Sequence, residues 1–172
     1  MDIDKYQSLS DNKKTKFRKA NFADKNKIQN DIYPYLDGYG ENDKKYLEEP
    51  ESHTIFISEK EKKIIHYFLV FEDAQQSPLI KTPINKKFIN NETAYLGSAF
   101  TVPEERGLWI TIYSVAFIIK YLKQNTDIKK VLLLVHDKTS GAIEFYQRLG
   151  FHIIPNAAPK NVLQWLLDKI KP

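Results

Sequence analysis

Cysteine is absent from the chain, which removes disulfides, thiolate nucleophiles and cysteine metal ligands at once. That absence fits a cytoplasmic protein, and a cytoplasmic location is the expectation. Arginine is scarce: Arg18, Arg106 and Arg148 stand among 26 basic residues. The formal charge is +4, but the lysines are scattered rather than gathered into a patch, so nucleic acid is not expected as a partner. Only six glycines occur, and none forms a Walker loop or a dinucleotide fingerprint. The four histidines, His53, His66, His136 and His152, lie far apart without zinc spacing, so no metal is expected. His136 and Asp137 are adjacent at a strand end and would point to opposite faces, which argues against a catalytic pair. Ser140-Gly141 lacks the Gly-x-Ser-x-Gly context of a nucleophile elbow. The longest apolar run, residues 108–122, is broken by Thr111, Ser114 and Lys120 and is too short to span a membrane. The first residues have no apolar core and are not expected to be a signal peptide.

What is present is the mixture of a folded domain. At 172 residues, 42% hydrophobic and 28% charged, one domain with a sizeable core is expected over residues 16–172, after a polar tail at 1–15. Residues 16–20 can form a strand, and Asn21 or Asp24 can cap a helix that Pro34 stops. Residues 31–52 set seven acidic side chains against two lysines and interleave four tyrosines, Tyr33, Tyr35, Tyr39 and Tyr46. They read either as a solvated loop and helix or as an entrance favouring a cation. β-Branched and aromatic content predicts a hairpin of strands 53–58 and 63–71, with His66 as a strand side chain. A long connection, 72–92, leads to a strand at 93–102 in which Gly97 suggests a bulge. Residues 108–122 are apolar almost all round, and their length favours a helix. A strand at 128–136, a short one after Phe151 and an ambiguous segment at 162–170, strand or helix, complete the chain.

Residues 131–151, VLLLVHDKTSGAIEFYQRLGF, organise the rest. A buried-strand run is followed by a polar loop and then by Ala142, Phe145, Tyr146 and Leu149 on one helix face. Thr139 or Ser140 can cap that helix, Gly150 suits its left-handed end, and Phe151 can pack back. With Thr139, Ala142, Phe145, Tyr146, Gly150 and Phe151, the stretch resembles the GNAT superfamily signature Asn-x-x-Ala-x-x-Phe/Leu-Tyr-x-x-x-Gly-Phe, with Thr139 in place of Asn. Residues 102–111 carry a second resemblance, to Val-x-Pro-x-x-Arg-Gly-x-Gly-x-Gly/Ala. Val102, Arg106 and Gly107 match, Pro103 is near its usual place, and Trp109 and Thr111 replace the later glycines. The resemblance covers roughly residues 16–155.

The resemblance implies an α/β (α+β) fold: a mixed, mostly antiparallel central sheet of six or seven strands, with splayed parallel strands four and five, flanked by helices. It implies acetyl transfer from acetyl-CoA to an amine acceptor. Phe100, Thr101 and Val102 become candidates for main-chain coenzyme contacts. Arg106, Gly107, Leu108, Trp109, Ile110 and Thr111 become the phosphate-binding helix start. Thr139, Ala142 and Phe145 join them as coenzyme-binding candidates, and Tyr146 becomes the general acid toward the leaving thiolate. Glycines at a helix start let backbone amides approach a pyrophosphate, so Trp109 and Thr111 keep a second reading open, a binding module without coenzyme chemistry. A homodimer is left open.

Overall fold

The computed structural model describes residues 15–36, 41–48, 52–82, 86–135, 141–155 and 162–166. Seven strands form one mixed sheet in the order β1-β2-β3-β4-β5-β7-β6, and helices accompany it. The strands are β1 (Thr15–Lys19), β2 (Thr54–Lys60), β3 (Lys63–Phe71), β4 (Thr93–Thr101), β5 (Lys130–Leu134), β6 (His152–Ile153) and β7 (Val162–Leu166). The helices are α1 (Lys25–Asp31), α2 (Glu41–Glu48), α3 (Leu108–Asn125) and α4 (Ala142–Arg148). The chain divides into two compact units, one of residues 71–97 and 121 onward, the other of residues up to 70 and 98–120.

In the second of these units, β1, β2 and β3 pair antiparallel. The β2–β3 turn is only two residues long, and both Glu61 and Lys62 take positive φ, 51° and 68°. That pair of left-handed residues matches the strand twist of a tight hairpin. A register break between Ser58 and Glu59 places one extra β3 residue, Ile65, in the ladder. Arg18 of β1 grips Asp24 at 2.6 and 2.7 Å, and Asp24 also accepts from the Asn21 amide at 2.8 Å in a capping box. The Arg18 guanidinium holds the Asp24 carboxyl below its ordinary range. The residues 108–122 resolve as helix: α3 runs for 18 residues, longer than any strand here, and buries Ile110, Val115, Ile118, Ile119 and Leu122 completely. Each such side chain stabilises the fold by roughly 1.5–3 kcal/mol. Phe17, Phe56, Tyr113 and Phe117 meet edge-on or tilted, with centroids 6.1–6.5 Å apart.

In the first unit, β4 and β5 run parallel from Thr93↔Lys130 to Leu96↔Leu133, after which β4 continues to Thr101 without that partner. β7 lies antiparallel on β5, so the ambiguous 162–170 segment is a strand as far as Leu166. Its helix-like apolar spacing loses to the backbone pairing that β5 offers. Residues 167–170 lie outside the described residues. The long connection after β3 is not an open loop: Asp73 and Ser77 cap two 3-10 turns, which bury Ala74 and Leu79 against Leu132, Ile154 and Val162.

α4 corrects one expectation. Its N-cap is Gly141, at φ 80°, with no side-chain cap bond, rather than Thr139 or Ser140, which lie outside the described residues. Only a residue at ease in the left-handed region fits that corner. The other end matches expectation. Gly150 sits at φ 102°, its amide donates to the Gln147 carbonyl at 2.9 Å, and the Phe151 amide donates to the Tyr146 carbonyl at 3.0 Å. These are the paired bonds of a Schellman stop, and Phe151 packs on the Tyr146 ring at 5.6 Å to complete it.

Candidate functional site

The candidate pocket forms where β4 gives way to α3. After Thr101 the chain makes a 3-10 turn, Pro103–Glu105, begun by the fixed φ of Pro103. Glu105 and Arg106 amides donate back to the Val102 and Pro103 carbonyls at 3.0 and 3.3 Å. Lys60 on β2 holds Glu105 at 2.5 Å. This turn brings Arg106, Gly107 and Thr111 opposite Ala99, Phe100 and Thr101, and with Tyr35 they line a cavity of about 550 Å³.

One end of the cavity is suited to an anion. The exposed Arg106 donates one N–H to the Thr101 carbonyl at 3.3 Å and lies 5.7 Å from the Phe100 ring centre, leaving its other donors available. α3 starts directly after Gly107, and its first turn carries no acidic side chain. Helix starts leave amides unpaired and are the positive end of the helix dipole. The cavity's aromatic lining adjoins the Arg106 cation. Phe100 lies between Tyr35, at 6.4 Å, and Tyr67, stacked at 6.3 Å. The buried Tyr67 hydroxyl donates to Asp43 of α2 at 2.7 Å, and burial followed by that carboxylate pushes its pKa above the ordinary tyrosine range. Tyr33 of the same acidic segment is pushed up to about 12, by burial first and then by Glu48.

Tyr146 sits on α4 between two rings, edge-on to Phe145 at 5.0 Å and to Phe151 at 5.6 Å. Burial alone pushes its pKa up to about 12. The phenol is therefore a neutral donor throughout the physiological range.

Of the residues proposed from sequence, Phe100, Thr101, Arg106, Gly107 and Thr111 meet at one cavity. Val102 and Ile110 are buried in the core, at 6% and 0% exposure, and do not line it. Leu108 opens α3. The Trp109 ring lies 5.6 Å from Tyr113 and over Gly107, where an added Cβ would meet Trp109 Cδ1 at 3.3 Å. Ala142 and Phe145 share α4 with Tyr146, half-buried, while Thr139 lies outside the described residues. Sequence reasoning passed over Ala99, whose small side chain gives no signal, and the link from His66 to Thr101, at 2.8 Å. The acidic segment was singled out through Tyr33, Tyr35, Tyr39 and Tyr46; of these Tyr35 lines the cavity, and Tyr39 lies outside the described residues. Among the described residues no group of His, Asp and Glu side chains could hold a metal ion, and no helix is long and apolar enough to cross a membrane.

Comparison with known proteins adds a lineage to this geometry. The model of the acetyltransferase (GNAT) family matches residues 20–151. No curated protein sequence is significantly similar to the chain. Among solved structures, a ribosomal-protein-alanine N-acetyltransferase from Escherichia coli superposes with TM-score 0.64 at 11% identity, covering 91% of this chain and 96% of its own. A GNAT-family acetyltransferase from Staphylococcus aureus gives 0.63 at 17% identity, covering 89% and 99%. A GNAT-family acetyltransferase from Brucella melitensis, in complex with acetyl-CoA, gives 0.60 at 14% identity, covering 92% and 91%. At these identities the likeness is one of fold.

Proposed function

Since the chain belongs to the acetyltransferase (GNAT) family, we propose that it is an N-acetyltransferase that takes acetyl from acetyl-CoA and passes it to an amine acceptor, a small molecule or a peptide amine. The observation that carries this reading is the cavity between the end of β4 and the start of α3. It sets an available guanidinium and an acid-free helix start beside the end of β4, which has no β5 partner beyond Leu96. The residues present fit a coenzyme: anionic phosphates suit Arg106 and the amides of residues 107–111, and an extended amide-bearing arm suits Ala99 to Thr101. Acetyl-CoA is bound by several neighbours of this fold, the Brucella melitensis protein among them. Bound acetyl-CoA would supply the activated acetyl group.

The chain's own residues then have three tasks. Backbone N–H groups at the end of β4 polarise the thioester carbonyl, since fixed dipoles cost no reorganisation as charge develops. Tyr146, held protonated by its buried setting, gives a proton to the departing sulfur. The acidic, tyrosine-rich segment, with Asp43 behind Tyr67 and Phe100, favours a cationic acceptor. We place this activity in one domain, residues 16–172, in the cytoplasm.

A binding module without coenzyme chemistry is the second reading. It is favoured by Thr111, which lines the cavity where the family pattern has Gly or Ala. Calorimetric titration with CoA and acetyl-CoA, followed by an amine panel scored by thiol release, separates the two. Saturable binding with acceptor-dependent thiol release is expected of the enzyme. No heat with either coenzyme overturns it in favour of the module.

A further inference from the structure

His66 is the polar group most deeply enclosed beside the cavity, and nothing in the proposed mechanism uses it. It is 1% exposed, on a strand otherwise apolar from Ile64 to Phe71. Its Nδ1 lies 2.8 Å from Thr101 Oγ1, and the nearby Phe100 carbonyl acts on the imidazole in the direction of a protonated ring. Its Nε2 has no partner among the described residues, and neither has the buried Ser58 Oγ. Ser58 and His66 are cross-strand partners, so both orphans face the same side of the β2–β3 pair. The Phe100 carbonyl favours a protonated ring nitrogen, and with Nε2 unpartnered among the described residues that proton belongs on Nδ1, which leaves Nε2 as an acceptor. Burial keeps the ring neutral, pushing its pKa down to about 3. The extra residue beside it completes the arrangement. The Ile65 carbonyl accepts from the Val102 amide at 3.0 Å. Two adjacent β3 residues, Ile65 and His66, therefore hold two consecutive residues, Val102 and Thr101, by an amide and a hydroxyl.

We propose that His66 is a positioning residue: as its Nδ1–H tautomer, with one buried water bridging the Ser58 hydroxyl and Nε2, it fixes the Phe100–Val102 wall of the cavity in the form that receives the coenzyme. The proposal rests on the coenzyme reading of the cavity for its functional half. Its structural half stands alone. An apolar residue of this shape would fill the same space, so a hydrogen-bonding side chain has to be explained by what it bonds. Buried polar atoms without partners are rare in folded proteins, and a water needs two or more polar partners to occupy such a place.

The test uses the full chain with His66→Phe, which keeps the ring contact to Phe68, and His66→Asn, whose amide N–H replaces the Nδ1 donor. Nitrogen NMR of the wild-type imidazole, assigned by its loss in the variants, is expected to show protonated Nδ1 and bare Nε2. Amide exchange at Val102 is expected to quicken about tenfold in His66→Phe, the scale of one net hydrogen bond. CoA affinity should fall about three- to tenfold by the same reasoning, and His66→Asn should restore both. A protonated Nε2, or a folded His66→Phe with unchanged exchange and CoA affinity, overturns the proposal. Should His66→Phe not fold, the tautomer and the His66→Asn exchange rate decide. If the wild type binds no CoA, the coenzyme reading falls, while tautomer and exchange still judge whether His66 fixes this wall.

Discussion

The two stretches that carry the candidate chemistry are held in opposite ways. Around Tyr146 the chain closes on itself through main-chain groups. Gly141 turns into α4, Gly150 turns out of it, and the Gly150 and Phe151 amides return to the last carbonyls. Around the cavity the chain is braced by side chains: His66 on Thr101, Lys60 on Glu105, Arg106 on the Thr101 carbonyl and Trp109 over Gly107. A segment closed by its backbone tolerates a change of side-chain chemistry. A segment braced by side chains couples binding to stability, so a substitution there alters both. Four experiments press on this contrast.

The largest effect is expected at Tyr146. Tyr146→Phe retains both ring contacts, so the chain should fold and bind CoA within about twofold of wild type, while turnover falls roughly 10²-fold or more, the scale of lost acid catalysis. Unchanged turnover would leave Tyr146 as a packing residue. Burial also sets a pH signature. Because the folded pKa, about 12, lies above the ordinary 10.0, the folded chain holds the phenolic proton more tightly. The resulting stability is full below pH 10 and is lost as pH rises toward 12. Denaturation curves of wild type and Tyr146→Phe should part only in that alkaline window.

Next comes Trp109→Gly. It removes the ring packed on Tyr113 and places glycine in the first turn of α3, which should cost about 2 kcal/mol. Its CoA affinity should not improve, because the indole lies on Tyr113 and does not line the cavity. Tighter CoA binding in this variant, measured by calorimetry, would mean that the indole obstructs the site.

Gly150→Ala should cost about 1 kcal/mol, since φ of 102° disfavours any side chain. Urea titration checks this, and a neutral result would show that the glycine stop is not what closes α4.

The smallest effect is expected from Asp43→Asn. The new amide oxygen can still accept from Tyr67, so the change is chiefly one of charge. KM for a cationic acceptor should rise about threefold and the difference should shrink with added salt, while CoA affinity stays constant. A KM indifferent to both would remove this segment from acceptor selection.

Much of this architecture was legible wherever a local pattern and a long-range partner agree. The hairpin of β2 and β3 followed from β-branched and aromatic runs, and the end of α4 followed from Gly150 and Phe151, whose roles need only neighbouring residues. The segment from Val162 stayed ambiguous because its apolar spacing suits two periods, and only pairing with β5 makes it a strand. The cap of α4 was misplaced because Thr139 and Ser140 look like better caps than Gly141. The conformation at that corner, rather than side-chain capping, decides it. His66 was read as an ordinary strand residue. Its bond to Thr101 crosses 35 positions of sequence, and no local pattern reports it. Trp109 and Thr111 look alike as departures from the glycine pattern, yet the Trp109 ring turns onto Tyr113 while Thr111 lines the cavity.

The hairpin turn between β2 and β3 has a practical consequence. Glu61 and Lys62 both occupy the left-handed region, where a side chain costs about 1–2 kcal/mol relative to glycine. Lys62→Gly, with Glu61→Asn, gives the turn the residues its geometry prefers. The pair should raise the melting temperature without touching any side chain of the cavity. Such a tightened hairpin gives a reinforced parent chain, in which a damaging substitution at the β4–α3 junction shows its effect on binding before it shows as unfolding.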